Sequence, residues 1–261
     1  TVRTAMLMIS LSMINCSADG KSLYFGIWED LSDKIRTDLL RGYVGFKETF
    51  EARPQSKILE VAVDTGESRV VFEEKYWIGH VNTSPTQRNL LTFCHEGPWN
   101  RVDQRIWGLD VDTGKVWKIR PTSGKKTVGH EYWYADGRRI GYHGRNAGGK
   151  PMIGRIRFDG EDRHEAPLVG GTHHLFSHDE RLIVGDGSGV IGLWRYEGKE
   201  YSLPHVLCRH DSTMRTQHAH PHPRFSPDGK YVIFTSDCSG HCNVYKVPLV
   251  DFDKLPPAKD S

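Results

Sequence analysis

Long hydrophobic runs and a paired set of cysteines are both missing from this 261-residue chain. No stretch approaches the roughly 18–20 apolar residues of a membrane helix, so we predict no membrane span. Five cysteines at irregular spacing do not predict a disulfide framework, and they favour a reducing compartment. The net charge of only +2, from 35 basic and 33 acidic residues, argues against a general nucleic-acid-binding protein.

The apolar segment 5–14 has the length of a signal-peptide core but lacks a basic leader and a small-residue cleavage site. We interpret it as a strand and expect a cytoplasmic protein. The chain begins with Thr1 and not with Met. We therefore interpret it as a fragment or a processed product, with N-terminal blades absent or with a natural short form as the alternative.

Two turn motifs alternate along the chain and set the expected architecture. The first precedes an apolar strand, and its copies start at Ser17, Tyr134, Ser177 and Ser226, with a degenerate copy at Ser84. The second is a Thr-Gly or Gly-centred turn at 64–67, 112–115, 159–161 and 197–199. Asp-Gly and Thr-Gly supply the positive φ of tight hairpin turns, and the flanking alternating runs are typical of half-buried strands.

Two hairpins in each period of roughly 40–50 residues are typical of a four-stranded propeller blade. A solenoid would need a stricter period, and a sandwich would not repeat both turns in order. We therefore predict an all-β protein, a single β-propeller domain over residues 1–261 with about five blades. Residues 30–53 break the period as an insertion, and residues 254–261 form a loose tail.

Histidine is abundant, with 14 residues, and the densest group is Gln217-His218-Ala219-His220-Pro221-His222. His220 and His222 would face the same side of an extended segment. Imidazole binds several divalent metals, and a Gln oxygen favours harder ions such as Mn²⁺. From spacing alone, a metal site and a polar histidine-rich loop are about equally supported.

Other candidate residues lie in separate motifs, each next to a turn and strand. They are His95-Glu96-Gly-Pro, Asp103-x-Arg105-x-Trp107, His130-Glu131-x-Trp133 and His173-His174. Loops from one face of a propeller converge, so distant motifs can share a pocket. The structural alternatives are blade-core aromatics, a hydrogen-bonded acid and an inter-blade ion pair.

Taken in order, these motifs and the Gln217-x-x-His220-Pro-His222-Pro run resemble the oligogalacturonate lyases of pectin-degrading bacteria. The resemblance extends from about residue 79 to residue 247. It implies a seven-bladed propeller and a Mn²⁺ ion, with another divalent cation as the alternative. It also implies an oligogalacturonate substrate in pectin catabolism, with no nucleic-acid or membrane partner. Members of the family are longer at the N-terminus than this chain.

The resemblance also assigns roles. Gln217, His220 and His222 match three of the four metal ligands of the family, and the fourth matches His174, with His173 as the competing choice. His130 matches the general base, and Arg105 matches the catalytic arginine. His95 and Glu96 are expected to line the substrate pocket or to orient a ligand.

These residue types suit β-elimination from a uronate. The reaction removes the proton at C5 and expels the oxygen at C4. A divalent ion neutralises the neighbouring carboxylate, a neutral histidine accepts the proton, and an arginine stabilises the carboxylate or the developing charge. The alternatives are a non-catalytic TolB-like binding module and a lyase for another uronate-containing oligosaccharide.

Overall fold

The structure is a computed structural model that describes residues 10–11, 13–122, 126–169, 174–177 and 179–258. The regular secondary structure of these residues is almost exclusively antiparallel strand, arranged in five sheets. The chain divides into two compact units: unit 1 comprises residues 1–39 and 43–122, and unit 2 comprises residues 40–42 and 123–261.

Unit 1 contains two sheets. The strands of the first sheet are β1 (Ser10–Leu11), β2 (Asn15–Cys16), β3 (Ser22–Trp28), β4 (Gln55–Ala62) and β5 (Ser68–Lys75). The strands of the second sheet are β6 (Ile78–Thr83), β7 (Leu90–His95), β8 (Ile106–Asp110) and β9 (Lys115–Lys118). In the second sheet each strand pairs with the next one along the chain, as in a propeller blade.

Unit 2 contains three sheets with the same sequential pairing. The third sheet has β10 (Thr127–Trp133), β11 (Arg139–Arg145), β12 (Pro151–Arg157) and β13 (His164–Pro167). The fourth has β14 (His174–Ser177), β15 (Leu182–Gly187), β16 (Val190–Arg195) and β17 (His205–Arg209). The fifth has β18 (Arg224–Phe225), β19 (Tyr231–Ser236) and β20 (Asn243–Pro248).

The repeated turns have the backbone conformation that their sequences predict. Gly20, Gly137 and Gly229 end the Asp-Gly turns with φ between 63° and 73°. The copy that starts at Ser177 has Glu180 at the same place, and its φ of 71° shows that the turn is kept without the glycine. The turns connect the strands of five successive sheets, which agrees with the number of about five blades that the repeats predict.

Residues 30–53 lie between β3 and β4 and contain the one helix of more than three residues in the described chain, α1 (Phe46–Ala52). The helix follows Gly45, whose φ is 77° and whose hypothetical Cβ would lie 2.5 Å from the carbonyl oxygen of Arg36. It ends at Arg53, before a proline that disfavours further helix. Its Phe50 side chain packs in a buried cluster that includes Tyr76, Trp77 and Val102.

The apolar cores lie between neighbouring sheets of the same unit. In unit 1, residues of the first and second sheets form one cluster, which includes Tyr24, Ile58, Ile78 and Leu91. In unit 2, one cluster joins the third and fourth sheets and another joins the fourth and fifth. The inner strands β7, β11, β15 and β16 are buried on both faces over four or more consecutive residues, where the sequence predicts half-buried strands, and β19 buries alternate residues.

The fifth sheet has three strands among the described residues, where the repeat predicts four. After β20 the chain forms a 3-10 helix (Phe252–Lys254), whose N-terminus is capped by the side chain of Asp251. The next residues run beside β17 of the fourth sheet, with Val206 N–H bonded to the Pro256 carbonyl and Ala258 N–H bonded to that of Pro204. Part of the segment expected to be loose is thus paired with a strand.

No helix in the described part of the chain is long and apolar enough to cross a membrane.

Candidate functional site

Two histidines occupy the same position in two different sheets. In β6 and in β10, a Gly-His pair lies at a β-bulge, where the pairing with the next strand shifts register. His80 has φ of 47° and His130 has φ of 49°. A bulge leaves one extra residue on its strand and redirects the side chain, and a left-handed backbone is uncommon for a residue other than glycine. Such outliers often mark functional positions.

His130, the predicted general base, contacts two other histidines within unit 2. Its Nδ1 lies 2.8 Å from Nε2 of His143, a buried residue of β11. Its ring centroid lies 6.3 Å from that of His222, one of the predicted metal ligands. The fold of unit 2 therefore brings together two predicted site residues that are distant in sequence.

The predicted ligands Gln217, His220 and His222 lie on and after a 3-10 helix (Gln217–Ala219). The N–H of Gln217 donates to the Leu40 carbonyl, and the N–H of His220 donates to the Gln217 carbonyl. The rings of His220 and His222 are perpendicular, with centroids 5.6 Å apart. Two imidazoles at this separation can each direct a nitrogen at a shared ion with metal–nitrogen bonds of about 2.0–2.1 Å.

Asp186 connects this segment to the remaining predicted ligand. It is fully buried in β15, and its Oδ2 accepts a hydrogen bond from the backbone N–H of His222 at 3.3 Å. His174 is the first residue of β14 and is the direct pairing partner of Asp186. The backbone of His174 thus lies beside the Gln217–His222 segment. The competing choice, His173, lies outside the described residues.

Arg105, the predicted catalytic arginine, lies in unit 1 and is almost fully buried. Its Nη1 donates to Oε1 of Glu96 at 2.7 Å, and its Nη2 lies 3.4 Å from Nδ1 of His80. Because a guanidinium only donates, this Nδ1 is an acceptor, and a neutral His80 carries its proton on Nε2. That nitrogen lies 3.4 Å from Oε2 of Glu96, so the three side chains form a closed ring.

Glu96 is thus an ion-pair partner of Arg105. Burial of Glu96 raises its pKa, but the charges of Arg105 and His80 and the hydrogen bonds from Arg105 and the Gly97 N–H outweigh burial. The net effect holds the pKa of Glu96 below its ordinary value, so this carboxyl is an anion near neutral pH.

His95 is also buried and lies next to acids. Its ring stacks on Tyr76 with centroids 3.8 Å apart, its Nδ1 lies 3.0 Å from Asp103, and its Nε2 lies 3.1 Å from Glu74. A ring can donate to both carboxylates only as the imidazolium. Burial raises the pKa of Asp103, but its contact with His95 outweighs this and leaves the pKa lowered.

His80, Cys94 and Glu96 offer potential ligand atoms that lie within 4.8 Å of one another, the distance expected around one metal ion. The guanidinium of Arg105 binds the same carboxylate and directs its donor at Nδ1 of His80. A fixed positive charge in this place opposes a cation. We therefore interpret this group as a support for Arg105 and not as a metal centre.

Several residues that contact predicted site residues belong to no motif used above, among them His80, Asp186 and His143. The recurrence of Gly-His at residues 79–80 and 129–130 would have identified His80. Asp186 and His143 have no motif, because strand pairing alone brings them to their partners.

The chain is similar in sequence to known oligogalacturonate lyases. The profile of the oligogalacturonate lyase family matches residues 34–198. Among curated proteins, the oligogalacturonide lyase of Pectobacterium atrosepticum is 29% identical over 226 residues. The oligogalacturonate lyase of Dickeya dadantii is 27% identical over 232 residues. Each match covers 78% of this chain and 58% of the relative, so the chain spans 58% of the length of these proteins.

Solved structures extend the comparison to the fold. An oligogalacturonate lyase in complex with manganese is 27% identical, with a TM-score of 0.78, over 92% of this chain and 65% of its own. An oligogalacturonate lyase of Vibrio parahaemolyticus is 25% identical, with a TM-score of 0.76, over 92% of this chain and 66% of its own. The β-propeller domain of a Pyrococcus furiosus protease is 13% identical, with a TM-score of 0.56, over 96% of this chain and 70% of its own. The predicted all-β propeller fold is confirmed.

Proposed function

The chain belongs to the oligogalacturonate lyase family, and we propose that it cleaves oligogalacturonates by metal-assisted β-elimination to 4,5-unsaturated uronates. The observation that carries the proposal is the 6.3 Å between the ring centroids of His130 and His222. A base must act next to the metal, because the proton it removes is α to the carboxylate that the metal neutralises. This distance between His130 of β10 and His222, which lies between the 3-10 helix and β18, supports such an arrangement within unit 2.

We assign the metal to Gln217, His220, His222 and His174. The donor set of imidazoles and one amide oxygen suits Mn²⁺, and manganese is present in a solved relative. The perpendicular rings of His220 and His222 support the fit. When bound, the ion would neutralise the uronate carboxylate and stabilise the enolate-like charge that develops beside it.

His130 removes the C5 proton at its Nε2. The electron pair of the C5–H bond becomes the C4–C5 double bond, and the C4–O bond breaks with its electrons on the leaving oxygen, which takes a proton from water. Arg105 keeps its charge at any working pH and would stabilise the substrate carboxylate or the developing charge. Glu96 orients the guanidinium of Arg105, and His95 is assigned to the lining of the substrate pocket.

A direct assay tests the proposal. The full chain is loaded with Mn²⁺ and mixed with digalacturonate, and the ultraviolet absorbance of the unsaturated uronate is followed. We expect product with Mn²⁺ and none after removal of the metal by a chelator. Absence of product from the manganese-loaded protein, with digalacturonate binding retained, would replace the lyase with a binding module.

A second assay tests which uronate oligosaccharide is the substrate. Oligogalacturonates of increasing length and uronate oligosaccharides of other configuration are compared by kcat/KM. We expect galacturonate oligomers to be preferred. A higher kcat/KM for another uronate would reassign the substrate while keeping the chemistry.

We also propose that the reaction takes place in the cytoplasm, because all five cysteines are free.

A further inference from the structure

The partner of His130 across the bulge is His143. Gly129 pairs directly with His143, and the register shifts between Gly129 and Tyr132, so His130 lies in the bulge next to the His143 side chain. The rings approach to 2.8 Å between Nδ1 of His130 and Nε2 of His143. Only 8% of the surface of His143 is exposed, so water competes little for this contact.

The distance identifies the contact as a hydrogen bond. Two imidazole nitrogens on one tetrahedral ion, each about 2.0–2.1 Å from it, would stand about 3.3 Å apart. A separation of 2.8 Å is shorter and matches one shared proton. The two histidines are therefore a donor and an acceptor.

The direction of this bond decides whether His130 can be a base. A neutral imidazole has one N–H donor and one acceptor nitrogen. If His143 donated, His130 would carry its own proton on Nε2 and could not take another there. If His130 donates from Nδ1, its Nε2 keeps the lone pair that removes the substrate proton.

We propose that His143 is a positioning residue that accepts the Nδ1 proton of His130 and so fixes the ring and the Nδ1–H tautomer in which Nε2 is the base. This inference rests on the proposed lyase function. When Nε2 takes the C5 proton, the new imidazolium keeps the same hydrogen bond, and His143 accepts it without adding a charge to a buried place. An acceptor that orients a catalytic histidine in this way is a general device of acid–base sites.

The equivalent bulge in unit 1 shows that His143 is not required by the backbone. Gly79 pairs with Cys94 as Gly129 pairs with His143. Nevertheless His80 adopts nearly the same φ as His130. The bulge therefore forms with a small side chain at the facing position, and a histidine occurs there beside the proposed base.

Three variants test the inference. His143→Leu fills the volume but cannot accept a hydrogen bond, whereas His143→Gln places an amide oxygen near the former Nε2. His164→Leu is the matched control, since His164 lies on β13 of the same sheet, is exposed, and contacts Tyr196. We expect His143→Leu to lower kcat by about 100-fold with little change in KM or metal content, because a general base contributes about 10²–10⁴-fold. His143→Gln should recover most of this loss, and His164→Leu should behave as the wild type.

A second readout does not depend on activity. Nitrogen NMR of the His130 ring, with Mg²⁺ in place of Mn²⁺ and at a pH where the ring is neutral, reports which nitrogen carries the proton. We expect Nδ1–H in the wild type and in His143→Gln, and a shift toward Nε2–H in His143→Leu. An Nε2–H wild type, or a His143→Leu variant with unchanged tautomer and kcat, would overturn the inference. An Nδ1–H tautomer that depends on His143 in a protein without lyase activity would reject the proposed function alone.

Discussion

Glu96 and Arg105 form a buried ion pair in which the guanidinium Nη1 lies 2.7 Å from a carboxylate oxygen. The side chains are 13% and 4% exposed, so both charges have lost most of their water. Each charge is tolerated only because the other is present. Replacement of either residue would therefore leave the other as a buried charge without its counter-charge.

Replacing Glu96 by Gln should strongly destabilise the protein. The variant leaves the buried guanidinium of Arg105 without its counter-charge, and breaking a buried pair costs about 3–5 kcal/mol. Urea denaturation measures the loss in the free energy of unfolding. The control is Glu73→Gln, which breaks an exposed pair with Lys57 in the same unit and should cost less than about 1 kcal/mol. Equal losses in the two variants would contradict the buried character of the Glu96–Arg105 pair.

The stability of the wild type should also depend on pH through Glu96. The folded-state pKa of this carboxyl is lowered, so its contribution is complete above the unfolded pKa of about 4.3. It is lost as pH falls through the lower folded value. The difference in unfolding free energy between the wild type and Glu96→Gln should therefore shrink in strong acid. A difference that stays constant from neutral to strongly acidic pH would count against the assignment.

Metal content should separate the ligands from their neighbours. His220→Ala removes one proposed ligand, and the protein should retain much less Mn²⁺ after dialysis, as measured by elemental analysis. His218→Ala is the matched control, because His218 is exposed on the same 3-10 helix and is not a proposed ligand. Normal metal content in His220→Ala would show that this ring does not bind the ion.

His130→Ala should abolish turnover while leaving metal content unchanged. A general base contributes about 10²–10⁴-fold, so kcat should fall by about that factor. The paired measurements are the absorbance assay and elemental analysis on the same preparation. If the variant loses its metal, then His130 is a ligand and another residue must be the base.

Gly144 should not tolerate a side chain. The strands β10 and β11 approach so closely that a Cβ at Gly144 would lie 1.8 Å from the carbonyl oxygen of Thr127. Because the backbone of Thr127 cannot shift without breaking strand pairing, Gly144→Ala should lower the free energy of unfolding by about 1–3 kcal/mol or more. Gly148→Ala, where the added Cβ meets only the Asn146 side chain at 3.4 Å, is the control for thermal unfolding. Similar melting temperatures for the two variants would refute this close packing.

The sequence predicts the sheets well because the information is local. Gly137 and Gly229 lie in turns whose positive φ follows directly from the Asp-Gly sequence. The Gln217–His222 segment is also local, but its conformation differs from the extended one that the sequence predicts. Residues Gln217–Ala219 form a 3-10 helix, and His222 has a left-handed φ of 42°.

The partners of the site residues could not be predicted in the same way. Whether His130 meets His143 depends on a bulge that shifts the register of β10 against β11. A shift by one residue would exchange the two faces of a strand, and no residue motif specifies it. Glu96 was expected to line the substrate pocket or to orient a ligand, and its contact with Arg105 depends on the β7 and β8 pairing and the turn between them.

The residues after the 3-10 helix at 252–254 limit the addition of further strands to the edge of the fourth sheet. Pro256 and Ala258 bond to the backbone at 204–206, next to β17. Pro256 and Pro257 have no N–H, so this added segment has few donors to offer to another strand on its outer side. An open strand edge invites a foreign chain to pair with it. This short stretch therefore leaves few backbone donors at the outer edge of the fourth sheet, which disfavours pairing with a strand of another chain.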